Sequence, residues 1–257
     1  MVTVFDIYTI IDSLASFSSQ EEWDNSGLLV GSPSDPVTGI LFALDLTEPV
    51  IREACSKGAS LIITHHPVMF SPRRRITDED AEGRMISGLI RSGISLISAH
   101  TNLDRAPGGI NDTLAKKCGL SDFSGEGFFR FGLLHQPMCA RDYSVLLSRS
   151  LSSVVRIMGP EDHLIRIVGL SSGGGSDSWR EAAASGCDAF ITGEMKHHLA
   201  LSAADSGLVV FECGHFATEE PGIRALAETL QKEVNGIEYN IGIYISGIPA
   251  YSFPQQP

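Results

Sequence analysis

No window of the chain stays apolar for the length a membrane span needs, and the N-terminus, Met1-Val2-Thr3-Val4-Phe5-Asp6, has neither the basic region nor the long apolar region of a leader. The expectation is a cytoplasmic protein with no membrane partner. Cysteine is sparse too. Cys55, Cys118, Cys139, Cys187 and Cys213 are odd in number, scattered and free of any C-x-x-C pair, which fits a reducing compartment rather than a disulfide framework. Basic residues are also short: 19 Lys and Arg face 31 Asp and Glu, leaving a net charge of -12. Broad neutralisation of phosphates is therefore excluded, and nucleic acid is not an expected partner. The local exception, Arg73-Arg74-Arg75, reads first as a solvated loop and second as a rim that steers an anionic small molecule.

What is present is an ordinary globular composition, 43% apolar over 257 residues, enough for one large α/β domain or two smaller ones. Val4, Ile7, Tyr8, Ile11 and Leu14 recur at helical spacing and predict a helix within 3–17. Glu22 to Gly31 reads as a loop feeding a short strand, and Gly39 to Leu44 as a second strand ending at Asp45. Thr47-Glu48-Pro49 is a helix start and Gly58 its stop; a buried strand over 59–63 completes a βαβ unit. A helix over 78–91, stopped by Gly93, leads to a strand over 94–98.

The second half repeats this plan, with a strand over 164–169, a helix over 179–185 and a strand over 188–192. Gly58-Ala59-Ser60-Leu61-Ile62-Ile63-Thr64-His65-His66 aligns with Gly186-Cys187-Asp188-Ala189-Phe190-Ile191-Thr192-Gly193-Glu194, and 92–100 aligns with 206–214. The inference is an internal duplication: two similar α/β domains, 1–125 and 126–257, with the boundary in the glycine-interrupted stretch between Gly119 and Gly132 and corresponding strand ends able to face each other across a cleft. Pro221-Gly222-Ile223 is expected to lead into a final helix to about Val234, and Ile241 to Ile245 to form a last strand.

The chemistry gathers at the strand ends. Imidazole nitrogen and carboxylate oxygen are the donors that hold zinc, iron, manganese or nickel, and catalytic sites leave a position open for water. His65, His66, Asp104, His215 and Glu219 are the candidates. Neighbouring histidines on a strand point to opposite faces, so both can serve one site only if the backbone leaves the strand, or if two ions lie side by side. His215 and Glu219, four apart, project together if a helical turn begins at Phe216. Cys213 reads as a small buried residue ahead of a soft ligand, and of His197 and His198, neighbours in an expected helix, at most one faces the cleft. Ser171 to Ser176 lacks the ending of a P-loop and reads as a tight turn. Trp23 and Asn25 could stack on and hydrogen-bond a flat ligand, although a Trp after a helix is more often a core anchor.

Trp23-Asp24-Asn25-Ser26-Gly27-Leu28-Leu29-Val30-Gly31, Thr64-His65-His66-Pro67, His100-Thr101-Asn102-Leu103-Asp104, Thr192-Gly193-Glu194 and His215-Phe216-Ala217-Thr218-Glu219 together resemble, in order and across nearly the whole chain, the successive motifs of the NIF-three-like proteins, often named type 2 GTP cyclohydrolase I. The resemblance implies two divalent metal ions per chain, held by His65, His66, Asp104, His215 and Glu219 between two similar α/β domains, and assembly as a homohexamer. The pattern is clearer for Asp104 than for His100, which reads as a residue behind the ligands or an occasional ligand; with Glu194, a proton carrier or a helix cap, it is a candidate catalytic residue. The expected function is a dinuclear metal-dependent hydrolase acting on a small molecule, a nucleotide-like or cyclic amide substrate; the alternative is a non-catalytic metal-handling protein acting through partners.

Overall fold

The computed structural model describes residues 1–236 and 241–248. The chain divides into two compact units, one of residues 1–106 and 223–257 and one of residues 107–222. This differs from the expected boundary at 125/126, for a topological reason. Residue 125 lies in the turn of an antiparallel pair, β5 (Leu120–Ser124) with β6 (Arg130–Cys139), so a cut there would split one sheet. A Cβ on Gly125 (φ +136°) would lie 2.3 Å from the Phe129 carbonyl oxygen, so the glycine makes this turn rather than a linker.

The first unit opens with α1 (Val4–Leu14), closed at its start by a reciprocal bond pattern between Thr3 and Asp6. Then come β1 (Gly27–Val30), β2 (Gly39–Ala43), α2 (Glu48–Lys57), β3 (Leu61–Thr64), α3 (Ala81–Ser92), β4 (Ser95–Ser98) and α4 (Thr101–Arg105). The expected caps operate. Thr47 accepts from the Val50 N–H at the start of α2, and Gly58 and Gly93 end α2 and α3 in the left-handed conformation. β2, β3 and β4 run parallel, and every residue of the three is buried, as suits strands covered on both faces. β1 lies antiparallel on β4, and β11 (Gly242–Ile245) returns to pair parallel with β2. That pairing places β11 in the first unit. The sheet order is β1-β4-β3-β2-β11.

The second unit contains α5 (Ile110–Lys117), β5, β6, α6 (Ala140–Leu151), β7 (Arg156–Met158), β8 (Leu164–Ser171), α7 (Trp179–Ala184), β9 (Ala189–Thr192), α8 (His197–Asp205) and β10 (Val209–Glu212), in the sheet order β5-β6-β8-β9-β10-β7. One face is packed by Leu114, Tyr143, Leu147, Ile165 and Phe211; a second cluster holds Phe129, Phe190 and Val210. The unit boundary falls inside α9 (His215–Gly236). Pro221 does not start this helix, as its sequence suggests, but sits within it; the helix begins six residues earlier, at His215. Among the described residues no helix is long and apolar enough to cross a membrane.

The two units share an order of elements. In the first, α1-β1-β2-α2-β3-α3-β4 builds three parallel strands, with the short strand that precedes them antiparallel on the third; in the second, α6-β7-β8-α7-β9-α8-β10 does the same. Bonds past the strand ends also correspond. The Ala99 N–H donates to the Thr64 carbonyl, as the Cys213 N–H does to Thr192 (both 2.9 Å), and the Thr64 hydroxyl donates to the His66 carbonyl as Thr192 does to Glu194. This is the pattern a duplication would leave.

Candidate metal centre

Each chemistry-bearing side chain stands just beyond the C-terminal end of a parallel strand, where backbone pairing stops and side chains can converge. In the first unit β3 ends at Thr64, whose hydroxyl lies 2.8 Å from that of Ser98 at the end of β4. The backbone then leaves the strand: the N–H groups of both His65 and His66 reach the Leu44 carbonyl at 3.1 Å. That departure resolves how neighbouring histidines serve one place, their ring centroids being 4.9 Å apart. His100, just past β4, lies 5.0 Å from the His65 ring and 5.5 Å from the His66 ring. One nitrogen from each of the three rings falls within 4.8 Å of the others. Asp104, buried on α4, has its Oδ1 3.5 Å from His65 Nε2.

What fits this set for a metal ion is the treatment of the other ring nitrogens. His65 Nδ1 lies 2.8 Å from the Ala99 carbonyl, an acceptor only, so Nδ1 carries a proton and the neutral ring has its lone pair on Nε2. His66 Nδ1 is 2.7 Å from Asp45 Oδ1, and His100 Nδ1 is 2.8 Å from Asp24 Oδ1. Three imidazoles, each with Nδ1 on an oxygen acceptor, present Nε2 as donor; this backing fixes tautomer and ring angle in metal sites. Asp24 is itself tightly held. Burial pushes its carboxyl up, but hydrogen bonds from His100 and Thr101, with the Asn25 N–H, outweigh this and keep it well below the usual carboxylate range. Replacing Asp45 with alanine should weaken divalent-metal affinity about 10–100-fold without unfolding the chain, as read by competition with a chromogenic chelator.

In the second unit α9 begins at His215, so His215 and Glu219 fall one turn apart on one face, with His215 Nε2 3.0 Å from Glu219 Oε2. Glu194 Oε1 approaches His215 Nδ1 at 3.2 Å and is well exposed, whereas Glu219 is buried. The Ser171–Ser176 loop is a tight turn as expected, yet it also shapes the place. Gly173 (φ +52°) donates its N–H to the Thr218 hydroxyl and accepts from the Glu194 N–H; a Cβ here would stand 1.9 Å from Glu219 Oε1 and 3.0 Å from His215 Nε2. The missing side chain leaves a cradle beside two donors. A Cβ on Gly193 already comes within 2.6 Å of the Gly173 carbonyl, so the second unit has no room for a histidine at the position that matches His65.

Other expectations resolve differently. Trp23 is 61% exposed and no core anchor. Its ring stands edge-on to His100. His197 and His198 are both exposed on α8. Arg73 is not simply solvated: it pairs with Asp80 at 2.6 Å and with Glu82, at the start of α3. Cys213 is buried, its thiol pushed up to about 12 by that burial, so it is a poor thiolate ligand. Alkylation of the native protein at pH 8 should therefore label the exposed Cys55 and spare Cys118 and Cys213, as peptide mapping would read. Asp24 and Asp45 were missed from sequence as orienting groups; the available signal was an acid one residue after Trp23 and another at the end of β2.

Comparison with known proteins gives the family and the fold. Residues 2–249 match the family described as Duf34/NIF3 (NGG1p interacting factor 3). A "GTP cyclohydrolase 1 type 2 homolog" of Clostridium perfringens is 35% identical over 90% of this chain and 92% of its own length. A protein of the same name from Clostridium acetobutylicum is 33% identical over 97% and 98%. The crystal structure of Staphylococcus aureus protein SA1388 superposes with a TM-score of 0.94 at 28% identity, covering 99% of each chain. On these grounds the chain belongs to the Duf34/NIF3 family.

Proposed function

We propose that this chain is a dinuclear divalent-metal protein that hydrolyses a small, nucleotide-like or cyclic amide substrate, with His65, His66, Asp104, His215 and Glu219 as its metal ligands. The observation that carries the reading is the shared Nδ1 arrangement of His65, His66 and His100, which engages three oxygen acceptors and orders three rings toward one place. A purely structural histidine cluster has no need of three like-oriented tautomers. The name borne by the clostridial relatives supports the choice of hydrolysis.

When bound, a pair of such ions lowers the pKa of water toward neutrality and polarises a substrate oxygen. The chain's own residues prepare this. Asp45, Asp24 and the Ala99 carbonyl hold the three rings in one tautomer, so that neither angle nor proton need change on binding. Gly173 keeps the approach to Glu219 and His215 clear of side chain. Glu194, exposed and 3.2 Å from His215 Nδ1, is placed to accept a hydrogen bond that orients that ring and to carry protons between the site and solvent on its own carboxylate. His100 sits beside His65 and His66 and serves as a further donor or as a polar wall.

The test is turnover. Metal-loaded protein should convert at least one member of a panel of GTP, other nucleotides, phosphoesters and cyclic amides, and Asp104→Ala should abolish that conversion. A fully loaded protein that turns over none of them would overturn the hydrolase reading while leaving metal binding in place.

A further inference from the structure

Two large aromatic side chains stand in solvent where burial would otherwise be favourable. Trp23 is 61% exposed and Phe70 51% exposed, and both rings lie edge-on to His100, at 6.0 and 5.6 Å between centroids and 76° between planes. Neither position is an accident of a loose loop. The turn carrying Trp23 is anchored by Asp24, which accepts from His100, from the Thr101 N–H and from the Thr101 hydroxyl. Asn25 then ties that turn to the loop carrying Phe70, its amide donating to the Met69 carbonyl at 2.7 Å. The Phe70 loop is pinned in turn by Arg73, which pairs with Asp80 and Glu82. Beside them a cleft of about 780 Å³ opens against His66, walled by Leu46, Pro67, Val68, Phe70 and Met85.

We infer that Trp23 and Phe70 are specificity-determining residues that grip a planar aromatic or heteroaromatic ring of a ligand whose donor atoms bind the metal held at His65 and His66, beside His100. The inference rests on the metal reading above and adds to it the shape of what binds. Exposed faces of Trp and Phe offer flat apolar area at little cost in side-chain entropy, and their ring quadrupoles favour offset or edge contact with another ring. The three histidines supply the charge-bearing end of the site and the two aromatic rings its apolar wall. A ligand with both a chelating group and a flat ring satisfies both, whereas a chelating aliphatic ligand satisfies one.

Acetohydroxamate and benzohydroxamate separate the two contributions, since both chelate divalent ions and only one carries a ring. The full chain loaded with Co²⁺ should bind benzohydroxamate about tenfold more tightly than acetohydroxamate, as read by the cobalt absorption bands. In the Trp23→Ala/Phe70→Ala variant, with cobalt content verified, the preference should fall to within about twofold while acetohydroxamate affinity holds. A second arm needs no metal: purine titrated into the apo protein should receive magnetisation from protein aromatic protons in saturation-transfer NMR, and lose it in the double variant. No preference in the wild type, a preference that survives both substitutions, or a transfer signal they leave unchanged would overturn the inference. Failure to bind either hydroxamate, with the purine signal present and lost in the variant, would overturn the open metal site and leave the aromatic grip standing.

Discussion

Alanine at position 173 should cost the protein most of its metal affinity and a measurable part of its stability, although it adds a single methyl group. The residue lies at φ +52°, where a Cβ costs about 1–2 kcal/mol in backbone strain. The added carbon would also stand 1.9 Å from Glu219 Oε1, which must then move. Glu219 is buried, so its carboxylate cannot swing into water without dragging the first turn of α9 and His215 with it. A fall of about 10–100-fold in affinity is expected, the range seen when groups that place a ligand are removed. Gly174→Ala is the internal control. Its Cβ would meet nothing within 4 Å, and metal content and melting temperature should match the wild type. If both alanines behave alike, the cradle has no role.

His65→Ala should have the larger effect. His65 is fully buried, bonded through Nδ1 to the Ala99 carbonyl and near Asp104 through Nε2. Apparent binding energies of roughly 10–16 kcal/mol for a four-ligand zinc site put one ligand at about 3 kcal/mol, or about 100-fold in affinity. The substitution also strands a buried carbonyl, at about 1–3 kcal/mol of stability. Isothermal titration with Zn²⁺ reads the first effect and urea denaturation of the metal-free protein the second. His197→Ala and His198→Ala, on the exposed face of α8, should change neither.

Where local signals were strong, the chain could be read directly. The parallel strands are near-continuous apolar runs, the first unit's helices between them carry Thr and Asp starts and glycine stops, and the histidines fall where those runs break off. Residues 107–163 gave no such reading. β6 buries Arg130 and Gly132 on its inward side, so the usual apolar alternation is absent. α6 does carry a period, Ala140, Tyr143, Leu147 and Leu151 all being buried, but it is interrupted by serines and arginines. The start of α9 was hidden by Pro221, since proline is expected to open a helix rather than lie inside one.

The candidate ligands were legible because each carries its own chemistry, and the groups that orient them were not. Asp24 reaches His100 across 76 positions and Asp45 reaches His66 across 21, distances over which spacing says nothing. Gly173 illustrates a second limit. Among three successive glycines, only its positive φ and the direction its missing Cβ would take distinguish it from Gly174. The topological match between the units explains why the aligned strand ends could be found, and the crowding at Gly193 explains why only one copy carries the histidine pair.

Whether these strand ends hold divalent metal is read most directly by elemental analysis of protein purified without a histidine tag. The wild-type chain should retain at least one divalent ion per chain after exhaustive dialysis, and Asp104→Ala, folded by circular dichroism, should lose most of it. Less than one ion per wild-type chain, or the same content in the variant, would contradict it.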